Sequence, residues 1–292
     1  MPGAGAPPPG GGEEAVNLEL DGYRLSIATG YGPRVAGLRL GQGPETFAAL
    51  SPEVVIDRPD SGVYRFHGGH RLWASPEIRA ITYAPDDHPC HVSAKGDRVA
   101  ITAPADRAGL VKSIVISSEG GRLAGDHTLV NEGLGTMEVA PWAITQVPLG
   151  GTVLVPFGAP AGQGLQASHS LILWPYTDLS DPRLTWQERA LMVQTEAGDP
   201  LKVGSGPAPG RLGYLHQGHL FTKEIPAAAS GEYPDRGAVA QVYVNGSFAE
   251  LESVGPITSL GPGASVSHRE SWLIEPCDDL QNAYRRVVGV AQ

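Results

Sequence analysis

The 292-residue sequence has little cysteine, little charge and no long apolar run. Its two cysteines, Cys90 and Cys277, stand far apart without metal-ligand spacing. A disulfide framework is thereby excluded, and a reducing compartment is the simpler setting. No run of 18 apolar residues is present, so no segment reads as a membrane-spanning helix. Lys and Arg number 21 against 31 Asp and Glu, a net charge of −10 at pH 7. Phosphate backbones and anionic bilayers select for a basic excess, so nucleic-acid and membrane partners are not expected. Residues 1–14 are rich in Pro, Gly and Ala, without the basic start or apolar centre of a signal peptide. They read as a disordered tail, and the chain as cytoplasmic.

What the sequence does hold is turn chemistry and short apolar runs. Glycine (39) and proline (26) are abundant, and hydrophobic residues make up 41% of the chain, enough for a core. The segments 16–20 and 23–27 alternate apolar and polar residues around Asp21-Gly22, the signature of a hairpin with a type I′ turn. Similar runs follow at 34–40, 78–83, 91–94, 99–102, 110–117, 127–131, 137–147 and 151–155. They continue at 171–174, 190–194, 212–216, 220–225, 237–244, 249–253 and 266–275, while the Gly-rich stretch 204–210 reads as a loop. Strands at this spacing predict an all-β fold, a large antiparallel β-sandwich with few short helices, as one domain over residues 15–292. One terminal helix is expected over 279–290, with acids at its start and arginines late. Asn131-Glu132-Gly133 reads as a hairpin turn.

Three segments taken together resemble the galactose mutarotase-like superfamily of aldose 1-epimerases, hexose-6-phosphate epimerases and their uncharacterised relatives. The first is Arg65-Phe66-His67-Gly68-Gly69-His70-Arg71-Leu72-Trp73. The second runs from Asp126-His127 through Asn131-Glu132-Gly133 to Pro141-Trp142-Ala143-Ile144-Thr145. The third is Ala249-Glu250-Leu251-Glu252-Ser253-Val254-Gly255-Pro256, followed by Leu260-Gly261-Pro262-Gly263 and a last strand to Trp272. Trp174-Pro175-Tyr176-Thr177-Asp178 is shared with the uncharacterised relatives. The resemblance covers nearly all of the chain after the tail and implies a supersandwich whose concave sheet holds a sugar.

Mutarotation needs a base for the anomeric hydroxyl and an acid for the ring oxygen. By resemblance Glu252 is the base, and strand alternation puts Glu250 on the same face. Active aldose epimerases carry the acid histidine on the strand after the Asn-x-Gly turn. Here that strand reads Ala140-Pro141-Trp142-Ala143-Ile144-Thr145-Gln146, so the acid passes by expectation to His70 or His67. Arg71 offers a fixed fork of donors, Trp142 a stacking face, and Tyr176 a cap; His219 and Lys223 complete the expected ligand contacts. The paired glycines Gly68-Gly69 would let the backbone approach a ligand. His127 reads as a core histidine, and Asp178 and Arg183 as loop-shaping residues. The pairs His67/His70 and His216/His219 lack helical i, i+4 spacing, so no metal site is assigned. No phosphate loop is found, since Gly158 to Gly164 lacks the lysine and the strand–helix setting, and no cofactor is expected.

The reading is therefore an epimerase-like enzyme acting on a carbohydrate or carbohydrate-like small molecule. Two alternatives stand beside it, both motivated by the missing histidine. One is a carbohydrate-binding protein without turnover, and the other is the same fold recruited to a different isomerase, lyase or cyclase reaction.

Overall fold

In a computed structural model the residues described are 15–51, 53–58, 62–157, 170–206, 210–226 and 231–289. The tail read over 1–14 and the segment 158–164 lie outside them. The first strands are β1 (Ala15–Leu20), β2 (Tyr23–Ala28), β3 (Arg34–Leu40), β4 (Val55–Arg58), β5 (Gly62–Arg65) and β6 (His70–Ser75). After the helical turn α1 (Arg79–Thr82) come β7 (His91–Lys95), β8 (Arg98–Thr102), β9 (Leu110–Glu119), β10 (Arg122–Asn131), β11 (Met137–Val147) and β12 (Thr152–Pro156). Then follow β13 (Ser170–Leu173), β14 (Leu184–Trp186), β15 (Ala190–Gln194), β16 (Leu201–Gly206), β17 (Gly210–His216) and β18 (His219–Ile225). The short α2 (Pro234–Gly237), β19 (Ala240–Val244), β20 (Ala249–Val254), β21 (Thr258–Leu260), β22 (Ser265–Pro276) and α3 (Leu280–Val288) complete the order.

Two ten-stranded sheets stack face to face. In one the order is β1-β2-β3-β6-β11-β20-β19-β16-β13, with β21 beside β11; in the other it is β14-β15-β12-β17-β18-β22-β10-β9-β8-β7. The fold is an antiparallel β-sandwich, as expected. Period-2 alternation builds its core: Leu25, Ile27, Leu38, Leu72, Val203, Val242 and Leu251 face Ile114, Ile116, Phe221 and Trp272. Each such side chain contributes about 1.5–3 kcal/mol by leaving water. Around the first hairpin Asp21 (φ 49°) and Gly22 (φ 80°) both take positive φ, as a type I′ turn requires.

Four local readings need correction. The run 78–83 contains the helical turn α1 rather than a strand, because Thr82 Oγ1 accepts from Ile78 N (3.1 Å) and donates to Ala74 O (2.9 Å). So short an apolar run does not distinguish the two forms. Residues Gly204 to Gly206 belong to β16 rather than to a loop. Asn131-Glu132-Gly133 is no hairpin, since β10 and β11 lie in different sheets. Asn131 instead holds a crossover between them, donating to Gly135 O and Leu260 O at 2.8 Å. The terminal helix is shorter than expected: Asp279 caps α3 by accepting from Gln281 N and Asn282 N, and Gly289 (φ 71°) closes it. No helix among the described residues is long and apolar enough to cross a membrane.

Candidate functional site

The outer face of the first sheet carries the candidate site, and strand register sets its floor. Arg71 on β6 stands opposite Ile144 on β11, which stands opposite Glu252 on β20, then Gln241 on β19 and Gly204 on β16. The neighbouring row is Gln146, Glu250, Tyr243 and Lys202. Gly204 keeps the floor low: a Cβ there would press on Ala238 Cβ (2.7 Å) and the Trp174 ring (3.2 Å).

Two buried ion pairs run diagonally across these rows. Arg71 Nη2 donates to Glu250 Oε1 at 2.8 Å, and Gln146 Nε2 donates to the same oxygen at 2.9 Å. Lys202 Nζ donates to Glu252 Oε2 at 2.8 Å, and so does Trp142 Nε1 at 2.8 Å. Aromatic faces cover both cations. The Arg71 guanidinium lies 4.2 Å from the Trp73 ring centre and 5.2 Å from that of Phe66. Lys202 Nζ lies 4.7 Å from the centres of both Trp142 and Trp174. Thr177 ties the Trp174 turn to β16, accepting from Lys202 N (3.0 Å) and donating to Lys202 O (2.6 Å).

Burial pushes the Glu252 carboxyl above its ordinary range; the Lys202 ammonium opposes that, and Glu250 adds to it. Tyr176 is pushed up as well, by burial and then by the Glu252 charge, which places its phenol in the field of that carboxylate. Several buried polar atoms on this face have no hydrogen-bond partner among the described residues: Glu252 Oε1, Gln146 Oε1, Gln241 Oε1, and Nε and Nη1 of Arg71. Such atoms are costly unless a ligand or water satisfies them. Acceptors and donors are both represented, which is the pattern a polyhydroxylated ring would match.

Glu252, Arg71, Trp142 and Tyr176 are thus grouped on one face, whereas His70 and Lys223 are not. Both point between the sheets, because strand alternation sends His70 to the face opposite Arg71. Lys223, on β18 of the other sheet, is fully buried and donates to Ala143 O, Leu251 O and Thr145 Oγ1 and pairs with Glu270 Oε2 at 3.0 Å. His67 contacts Asp87 (3.5 Å) and stacks on Tyr31 at 3.9 Å, rather than meeting Glu252. His219 sits beside the β17–β18 turn with Nδ1 3.2 Å from Gln217 O, away from this floor. Gly68 and Gly69 serve packing rather than a ligand: both have positive φ, and a Cβ on either would collide with backbone, Ala48 O and Val35 O respectively.

Sequence reading missed Lys202, Trp174, Gln146, Gln241 and Tyr243. The signal for Lys202 was a lysine between Leu201 and Val203, both of which face the core.

One cluster among the described residues has metal-ligand spacing: His70 Nε2, His127 Nε2 and Glu270 Oε1 lie within 4.8 Å of one another, all fully buried. Its hydrogen bonds close without an ion. His127 Nδ1 faces the carbonyl of His268 (3.2 Å) and must donate, leaving Nε2 as an acceptor. His70 Nε2 then donates to it across 2.7 Å, and His70 Nδ1 accepts from Thr145 Oγ1 at 2.8 Å. Ser253 Oγ gives its one proton to Glu270 Oε2 (2.6 Å), so His268 Nε2 donates to Ser253 Oγ (2.7 Å). The Lys223 ammonium already supplies the positive charge beside Glu270.

No protein-family model matches the chain, and no curated protein does. Solved structures do. A Klebsiella pneumoniae protein provisionally assigned as an aldose 1-epimerase aligns with TM-score 0.63 at 11% identity, over 96% of this chain and 84% of its own. A galactose mutarotase-like protein of Clostridium acetobutylicum aligns with TM-score 0.52 at 12% identity, over 91% and 98%. A galactose mutarotase related enzyme of Lactobacillus acidophilus gives 0.52 at 10%, over 91% and 99%. With two large antiparallel sheets and these alignments, the chain has the galactose mutarotase-like fold.

Proposed function

We propose that the protein is an acid/base isomerase of the mutarotase type acting on a cyclic sugar or sugar-like metabolite, with Glu252 as its base. The observation that carries this reading is the division of labour within one carboxylate. Trp142 and Lys202 hold Oε2, while the buried Oε1 is left without a partner. A fixed carboxylate with one free oxygen and a raised pKa suits abstraction of a hydroxyl proton near neutral pH. Arg71, Gln146 and Gln241 supply the ring's remaining hydroxyls with donors and acceptors. Trp142, Trp174 and Tyr176 offer apolar faces. The mutarotase-like names of the similar structures support a sugar as the ligand class.

The test is anomeric exchange of a panel of aldoses, followed by NMR saturation transfer with wild type and Glu252→Gln. Acceleration over buffer that vanishes in Glu252→Gln is expected; no acceleration with any aldose removes the reading. A binding protein without turnover is the second reading, favoured by a floor on which no histidine meets Glu252 among the described residues. Saturable sugar binding by calorimetry with no exchange would establish it. The polar floor weighs against an apolar cyclisation substrate.

A further inference from the structure

We propose that Lys202 is the proton donor of this site, taking the place of the histidine that β11 does not present. The inference rests on the reading of Glu252 as base. On the outer face β11 presents Trp142, Ile144 and Gln146, none of which donates a proton at neutral pH. Three of the described histidines, His70, His127 and His268, lie buried between the sheets, and His67 contacts Asp87 and Tyr31. Lys202 Nζ is the cation in direct contact with Glu252, at 2.8 Å.

Its surroundings are those of a cation site, with the Glu252 carboxylate on one side and two indole faces on the others. A charged lysine is a poor nucleophile but a competent acid. The geometry also suits the reaction, because the two oxygens to be served, the anomeric hydroxyl and the ring oxygen, sit on one carbon. A base and an acid already in hydrogen-bond contact reach both.

The step balances. Glu252 Oε1 takes the proton of the anomeric hydroxyl as that oxygen becomes the aldehyde carbonyl. The bond from carbon to ring oxygen breaks, and Lys202 delivers a proton to the departing ring oxygen. Rotation of the aldehyde and the reverse steps return both protons and close the other anomer. The titratable groups in the field of the pair are Glu250 on the same strand, Tyr243 on β19, Tyr176 beyond β13 and, from behind the sheet, Lys223 on β18.

The test compares kcat and its pH profile for wild type, Lys202→Met, Lys202→Arg and Lys202→His by NMR anomeric exchange. Thermal melts accompany each variant. Lys202→Met should lose about 10²–10⁴-fold in kcat, the usual weight of a positioned acid. Lys202→Arg keeps the cation, the pair with Glu252 and the stacking, but gives up its proton far less readily, so it should be nearly as impaired. Lys202→His should retain part of the rate with its alkaline limb moved toward neutral pH. Wild-type kcat in Lys202→Arg would overturn the proposal, because charge alone would then suffice. Should Lys202→Met fail to fold, Lys202→Arg and Lys202→His decide the matter. If wild type itself exchanges no aldose, the mutarotase reading falls and the acid role with it. An active wild type with Lys202→Met unimpaired sinks only the role of Lys202.

Discussion

Two buried polar clusters lie back to back across the same sheet, and they differ in one respect. The inner one, His70, His127, His268, Ser253, Glu270 and Lys223, leaves no fully buried side-chain nitrogen or oxygen without a partner among the described residues. The outer one, Arg71, Gln146, Gln241, Glu250, Glu252 and Lys202, leaves unpaired atoms on four of its six residues. Both contain lysine–glutamate pairs of similar length, 3.0 Å inside and 2.8 Å outside. Charge burial alone therefore does not mark a functional site. A saturated network fixes how the sheets pack, whereas an unsaturated one leaves polar atoms that a ligand or water can satisfy.

The sharpest way to break the comparison is to remove matching carboxylates. Glu252→Gln should lower kcat for anomeric exchange by about 10²–10⁴-fold while the fold survives. Glu270→Gln strands the fully buried Lys223 and should cost about 3–5 kcal/mol of stability, read by urea denaturation. Equal destabilisation by the two variants would show that the outer cluster is structural too.

Acidification separates the clusters by sign. Burial holds His70 and His127 below the ordinary imidazole range and pushes His268 down to about 4. Below about pH 6.5 the unfolded chain therefore binds protons that the folded chain refuses, so the inner cluster loses stability as pH falls. Glu252 is shifted upward, so the folded state holds its proton where the unfolded state has released it. Its contribution has the opposite sign: it favours the folded state at acid pH and fades as pH rises through the raised pKa. Melting temperature should fall between pH 7 and pH 5 in wild type. The fall should flatten in His268→Gln and steepen in Glu252→Gln.

Arg71 lets the comparison be refined at its ligand side. Its Nη2 is committed to Glu250 while Nε and Nη1 are free, so Arg71→Lys keeps a charge and loses the fork. Sugar affinity by calorimetry should weaken by about 1–3 kcal/mol, the cost of unmade hydrogen bonds to a charged group. An unchanged affinity would assign Arg71 to holding Glu250 alone.

These distinctions were legible in the sequence to very different degrees. Alternation along Ala249–Val254 already put Glu250 and Glu252 on one face, and the Asp21-Gly22 turn and the acidic start of the terminal helix could be read directly. The phase of His70 could not, because Gly68 and Gly69 at positive φ break the alternation that would have shown which way the strand faces. Lys202 was hidden by its own strand. Gly204 and Gly206 look like loop residues, yet Gly204 is there so that Trp174 can lie against the sheet beside that lysine. Partnering across about 50 positions is fixed by tertiary packing, and no local pattern encodes it.

Tyr176 tests the edge of the outer cluster, where the effect should be smallest. The residue is 49% exposed, so Tyr176→Phe removes one hydroxyl with little packing loss and should change stability by no more than about 0.5 kcal/mol. Its phenol nevertheless lies in the electrostatic field of Glu252, Glu250, Tyr243 and Glu77. A hydroxyl so placed can donate to a bound ring oxygen while leaving the free protein nearly indifferent to its loss. KM should rise a few-fold with kcat held, the signature of a contact made equally in ground and transition states. A fall in kcat at constant KM would instead bring Tyr176 into the proton transfer itself, in competition with Lys202.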